Sequence, residues 1–384
     1  MYFITTKRML EVCFSAHPNI QYRTPFLSEA GQTDLRRICG TNMKQEFYYQ
    51  QMNKAQQNAY RAMLDGFASL SPEFPVLRLD GKELSDIFFR LRLDHPAIFY
   101  VEGFHYRFAQ NSEYVQMIPE YMFEKKKIKE MKTALESRIS RLVRQAEGMA
   151  PEEKEKYVHD FICSNVTYDK LKKQYSHEII GPLQQGIGVC EGIAKTVKIL
   201  CDRMGLECLI AISESAPDRG IRYRHAWNLV KLKNTWYHLD ATFDNSLGRY
   251  GQKRFDYFNL DDKMIFKDHQ PLVYKVPACT DGGRFYYKEN RLSLTKLEDV
   301  AGRFKAVLRK KQPYYVFHWR GGYLTRDVLE QIAGIASEAA REKGKYVRMS
   351  VNYSQAVMEL AVTDFQSGQE ICREEANEGE LARE

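Results

Sequence analysis

The chain has 384 residues, of which 44% are hydrophobic, 12% aromatic and 28% charged. That length supports two or three domains with sizeable cores, and the composition excludes a disordered chain. The net charge of +7, from 57 basic and 50 acidic side chains, is too small over this length to indicate a nucleic-acid-binding protein.

The opening MYFITTKRMLEVCFSAH is broken by Lys7, Arg8 and Glu11, so it does not read as a signal peptide. No apolar run is long enough to predict a transmembrane helix, and the cytoplasm is the expected compartment. Pro18 and Pro25 interrupt the first forty residues, which lack periodicity. Met43 to Phe67 reads as a helix, ended by Gly66, Ser69 and Pro72. A short FPVLRL segment follows, then a second helix over GKELSDIFFRLRLDHP that stops near Asp94–Pro96. AIFYV and FHYRFAQ predict a strand pair joined through Glu102–Gly103, with SEYVQMIPEYMF as a third strand. Residues 1–122 are therefore expected to form a small α/β domain.

Residues 123–150 read as an amphipathic linking helix. Ile128, Met131, Leu135, Ile139, Leu142 and Ala146 fall three or four residues apart. The basic run EKKKIKEMK keeps helical spacing and includes acids, which marks a solvated face. Pro151 opens the next helix, PEEKEKYVHDFICSNV, with acids in its first turn. After VTYD comes an irregular crossing, YDKLKKQYSHEIIGPLQQG, and then a helix from Cys190. Ile193, Ala194, Val197, Leu200, Cys201 and Met204 make its buried stripe, and Gly205 ends it. Three strands are predicted next, in LECLIAISES, YRHAWNLVKL and TWYHLDATFDNS. Alternation places His225, Trp227 and Leu229 on one face, and Trp236, His238 and Asp240 on one face of the following strand. The core is expected over 151–276.

Residues 277–367 read as a C-terminal α+β domain. GGRFYYKENRLSL resembles a hairpin, and FKAVLRKKQPYYVFHWRGG adds strand material. Thr325 caps a helix over RDVLEQIAGIASEAAREKG, and KYVRMSVN pairs with AVMELAVTDF. The acidic tail, 368–384, is expected to be disordered.

Eight cysteines are scattered without a CxxC pair, which fits a reducing compartment rather than a disulfide framework. Cys190 differs from the rest by its place. It follows GIGV and opens a predicted helix, where the helix end stabilises a thiolate. Glycines 186 and 188 let the chain turn closely and leave the sulfur open. A thiol nucleophile needs a base and a group to orient that base. His225 and Asp240 are fifteen residues apart across one predicted hairpin, so adjacent strands can bring them together. His238 and Asp244 are alternatives, since a register slip changes which side chains meet. Each of these residues also has a plain packing role open to it. Gln184 is a candidate oxyanion donor beside the backbone N–H of Cys190, and Tyr168, Trp227 and Trp236 are candidate cleft residues. No Cys/His cluster has zinc spacing, Asp261–Asp262 is too short a signal for calcium, and no phosphate loop occurs. Neither metal nor cofactor is expected.

GVCEGIAKTVKILCDRMGLEC followed by HAWNLVKLKNTWYHLDATFD resembles the transglutaminase-like superfamily, in particular its bacterial, protease-like branch. NVTYD and FDYFNLDD extend the resemblance over residues 158–269. It implies an α+β fold with a papain-like transglutaminase core and an antiparallel sheet. It also implies Cys190 as nucleophile, His225 as base and Asp240 as the orienting acid. The expected reaction is hydrolysis of a peptide or amide through an acyl-enzyme. Amine transfer or crosslinking uses the same intermediate, and a non-catalytic protein-binding module is the alternative of a different class. The expected partners are a peptide, protein or small amide substrate and a protein bound through the flanking domains, with neither nucleic acid nor membrane.

Overall fold

The computed structural model describes residues 46–215, 224–248 and 252–364. The expectations for the first forty residues and for the acidic tail lie outside them. The chain divides into two units, residues 1–254 with 269–279, and residues 255–268 with 280–384.

The first unit opens with α1 (Phe47–Gln50) and α2 (Lys54–Ala68). A single helix was predicted here. It is split at Asn53, whose side chain accepts from Gln56 N while the Gln56 side chain accepts from Asn53 N, a reciprocal cap that starts a new helix. β1 (Phe74–Leu77), α3 (Gly81–Asp94), β2 (Val101–Arg107) and β3 (Tyr114–Tyr121) follow. The three strands pair antiparallel in the order β1-β3-β2. The expected pair across Glu102–Gly103 is instead one strand, with a register shift between Val101 and Gly103. Only Val101 of AIFYV belongs to it.

α4 (Lys125–Gln145) buries Ile128, Leu135, Ile139 and Leu142 of the predicted stripe, Ala146 is buried just past its end, and Met131 is only half-buried. After α5 (Pro151–Asn165), β4 (Thr167–Tyr168) pairs in parallel with β5 (Ile187–Gly188). α6 (Cys190–Arg203) then lies against an antiparallel sheet of β6 (Glu207–Ser213), β7 (His225–Leu232) and β8 (Thr235–Leu239). Asn228 Nδ2 donates to Ala194 O at 2.9 Å, tying β7 to α6. The N-terminal elements share this core. Tyr48 Oη donates to Ile210 O at 2.5 Å, and Tyr48 packs with Ala194, Ile210 and Ala226.

TWYHLDATFDNS is not strand to its end. β8 stops at Leu239, and Asp240 caps α7 (Ala241–Leu247) by accepting from the amides of Thr242 and Phe243. The alternation argument for Asp240 therefore fails, because it sits one residue beyond the strand.

In the second unit, β9 (Phe258–Leu260), α8 (Asp262–Ile265), α9 (Tyr286–Glu289) and β10 (Ser293–Leu294) precede α10 (Leu297–Arg309). β11 (Tyr314–Trp319), α11 (Arg326–Arg341), β12 (Lys345–Asn352) and β13 (Val357–Asp364) complete it. Its sheet runs β10-β11-β13-β12, and Phe304, Phe317, Ile332 and Leu360 fill its core. The predicted hairpin over GGRFYYKENRLSL is a short helix and a two-residue strand, and FKAVLR is helical. Thr325 caps α11 as expected, through Val328 N.

The protein is α+β, but its strand pairing is mixed rather than purely antiparallel: β4 with β5 and β10 with β11 run parallel.

Candidate active site

Cys190 is the first residue of α6, so its backbone N–H belongs to the turn that has no intrahelical acceptor. The chain reaches it through Gly186, whose φ of +65° suits glycine. Val189 N donates to Ser176 O at 3.0 Å, which pins the entry. Ser176 in turn donates to Asp169, and Asp169 also accepts from the amides of Leu171 and Lys173. The aspartate of NVTYD thus ties down the irregular crossing beside the helix. A Cβ on Gly192 would lie 2.2 Å from Ser176 O, so only glycine permits this approach. The cysteine is half-buried, one edge packed on the cluster that contains Tyr48 and Ala226.

His225 opens β7, and its Nε2 lies 2.6 Å from Asp240 Oδ2. The same side chain also interacts electrostatically with Cys190. With Nε2 turned to the carboxylate, Nδ1 is the ring nitrogen left for another partner. Burial alone would push the imidazole down. The charge of Asp240, the hydrogen bond to it and the contact with Cys190 outweigh burial and lift His225 to about 10. Burial would likewise raise Asp240. The His225 charge and hydrogen bonds from His225 and His269 overcome it and hold Asp240 well below the ordinary carboxylate range. Both partners thus favour the ion pair. The sequence reading missed His269, whose Nε2 lies 2.9 Å from the same Oδ2.

A raised histidine contributes stability that is complete below its unfolded value of ~6.5 and lost as pH climbs through the folded one. The unfolding free energy of the protein should therefore fall between pH 6.5 and about 10 more steeply than that of His225→Gln. Denaturant melts of both proteins across that window check this, and parallel curves would remove the charged pair from the account.

Trp227 stacks on His225 with ring planes 11° apart and centroids 6.1 Å apart. It is buried, and its Nε1 donates to His238 Nδ1 at 3.0 Å, so it walls the pair rather than lining an open groove. Tyr168 is 37% exposed. Partial burial and the charges of Cys190, Asp240 and Asp169 push its phenol up to about 12. Trp236 is not brought to the site. It faces Lys231 across the ladder, six residues along β7 from His225, roughly 20 Å away at strand rise. Gln184 and Gln185 are exposed on the turn before β5. Of the register alternatives, His238 is engaged by Trp227, and Asp244 Oδ2 lies 3.0 Å from His159 Nε2.

His225, Asp240 and His269 offer three ligand atoms within 4.8 Å of one another. Around a tetrahedral zinc such atoms lie roughly 3.3 Å apart, from bonds of ~2.0–2.1 Å. The observed 2.6 and 2.9 Å are separations that a shared proton fills.

The family model described as the transglutaminase-like superfamily matches residues 139–241. That span holds Cys190, His225 and Asp240 and the helix-on-sheet arrangement around them. Residues 139–241 form a transglutaminase-like core. Among solved structures the chain is similar to a TGase at 13% identity, covering 44% of this chain and 50% of that one, with a TM-score of 0.25. It is also similar to a putative cysteine protease from Cytophaga hutchinsonii at 12% identity, covering 36% and 61%, with a TM-score of 0.24. A third similarity is to menin, in a structure that reveals its binding site for the Mixed Lineage Leukemia (MLL) protein. Identity there is 16%, covering 59% and 42%, with a TM-score of 0.24. The chain thus spans about half the length of the first of these structures. No curated protein matches the chain. Among the described residues, no helix is long and apolar enough to cross a membrane.

Proposed function

We propose that the transglutaminase-like core carries out thiol-dependent acyl transfer, with water as acceptor and a peptide or amide bond as substrate. One arrangement supports it: a histidine bonded to a buried carboxylate, which also feels the charge of a half-buried thiol at a helix start. In this reading the Cys190 sulfur attacks the carbonyl carbon, and the oxyanion that forms is met by the Cys190 backbone N–H. The imidazolium of His225 gives its proton to the leaving amine, the C–N bond breaks and an acyl-enzyme remains. Water then attacks the thioester, its proton passes to His225, and the thiolate leaves with the site restored. Asp240 keeps Nε2 of His225 protonated throughout, so Nδ1 stays directed at the sulfur. Tyr168, part-exposed and close enough to feel the Cys190 charge, is the candidate to border the entering acyl chain.

The helix start and the adjacent imidazolium should make Cys190 the first of the eight cysteines to react with a mild alkylator near neutral pH. Short time courses read by peptide mass spectrometry measure the order. Early modification of Cys163 or Cys208 with Cys190 untouched would sink the nucleophile assignment. A panel of amide and peptide substrates, run with and without a primary amine, then separates hydrolysis from amine transfer.

A further inference from the structure

We propose that His269 is a positioning residue for this site: its Nε2–H holds the Oδ2 of Asp240 in the one orientation that serves His225. This rests on the reading of Cys190 and His225 given above. Asp240 is buried and accepts four donors. Oδ1 takes the amides of Thr242 at 2.8 Å and Phe243 at 3.1 Å. Oδ2 takes His225 at 2.6 Å and His269 at 2.9 Å. The two amides fix only one oxygen, and the carboxylate plane remains free to turn about that anchor. A second imidazole on Oδ2 removes this freedom. It also shares the negative charge of Oδ2, so the proton between His225 and Asp240 stays on the histidine.

His269 is itself held on every side. Its ring stands edge-on to Trp227, with centroids 4.9 Å apart and planes at 85°, and lies 4.7 Å from the ring of Phe243. The backbone that follows it pairs with the edge of β6, through Glu214 N to Pro271 O and Val273 N to Ile212 O, both at 2.8 Å. His225 faces Asp240 and Cys190, and Tyr168 senses the charges of both. Donation from His269 to Oδ2 requires the proton on Nε2, so the inference fixes a tautomer as well as a contact.

Two measurements on the full chain test it. In histidine-labelled protein, long-range ¹H–¹⁵N NMR near neutral pH should show His269 with Nε2 protonated. A bare Nε2 overturns the inference, and no variant is needed to see it. The second measurement is the rate of Cys190 alkylation by iodoacetamide between about pH 5 and 9, which spans the ordinary histidine range. His269→Leu should slow alkylation by about tenfold to a hundredfold, as expected when a reacting pair is misplaced, and should shift its pH profile. His269→Gln, which returns an N–H donor close to Nε2, should recover most of the rate. His225→Gln separates the two levels of the account. If it leaves Cys190 alkylation unchanged, the reading of the site fails and this inference with it. If alkylation depends on His225 while His269→Leu matches the unsubstituted protein in rate and profile, only the role of His269 is overturned.

Discussion

Asp240→Asn should lower the rate of acylation of Cys190 by up to ~10⁴, a size taken over by analogy from the same change in a serine-protease triad. The local geometry says why the loss should be large. The asparagine oxygen would remain on the amides of Thr242 and Phe243, which cap α7. Its NH₂ would then face His225 Nε2 and His269 Nε2, two positions that now donate. Donor would meet donor. His225 could relieve the clash only by moving its proton to Nδ1, the nitrogen that faces the thiol in the proposed mechanism. That tautomer cannot take the cysteine proton. Cys190→Ala should abolish acylation altogether, since no other group supplies the covalent bond. Single-turnover acylation by a chromogenic ester, with melts of each variant, measures both. A rate for Asp240→Asn within tenfold of the unsubstituted protein would contradict the role given to the carboxylate. Acylation at the original level by Cys190→Ala would remove the nucleophile.

The residues of this site differed in how well the sequence exposed them. Cys190 was legible because its signals are local: glycines before it, an apolar stripe after it and a glycine at the end of the helix. His225 and Trp227 followed from strand alternation, and their rings do share a face. Asp240 was found by motif order, although the strand had already ended. The Asp-Ala-Thr-Phe run is an N-cap signal, but a seven-residue helix is too short to show a 3.6-residue period. His269 had no local mark. It lies in a proline-bearing segment that reads as a connector, and only tertiary pairing with β6 carries it to Asp240. Trp236 was misplaced in the opposite way. Its face on the strand was right, but register sets it at the far end of the sheet. In the second unit, Leu297, Val300, Phe304 and Val307 carry a helical repeat that was hidden by reading FKAVLR together with the strand after Pro313.

The helix that starts at Cys190 also rests on a cluster of largely buried charge that pattern reading does not show. Lys195 Nζ lies 2.8 Å from Glu178 Oε1 and 2.7 Å from Glu191 Oε1, and donates to His177 O at 3.2 Å. Arg92, from α3, pairs with Glu178 and approaches Glu191 at 3.8 Å. Two cations thus balance two carboxylates next to Cys190. Burial would raise Glu191, but the charge of Lys195, a hydrogen bond with His177 and the charge of Arg92 hold it well below the usual carboxylate range. Lys195→Met keeps most of the side-chain stem and deletes one charge. Arg92 would then serve two carboxylates alone, in a place with little water to help. Breaking a buried pair in this way costs about 3–5 kcal/mol. Because the chain has two units, a single melting point would blur the effect. Cys201 lies fully buried on the same helix, so its labelling across a urea series reports the unfolding of this unit alone. Adding Glu191→Gln should return part of the loss, since it removes the carboxylate left in excess. A midpoint for Lys195→Met that corresponds to less than about 1 kcal/mol, the range of exposed pairs, would show that water reaches the cluster and that it does not anchor the helix.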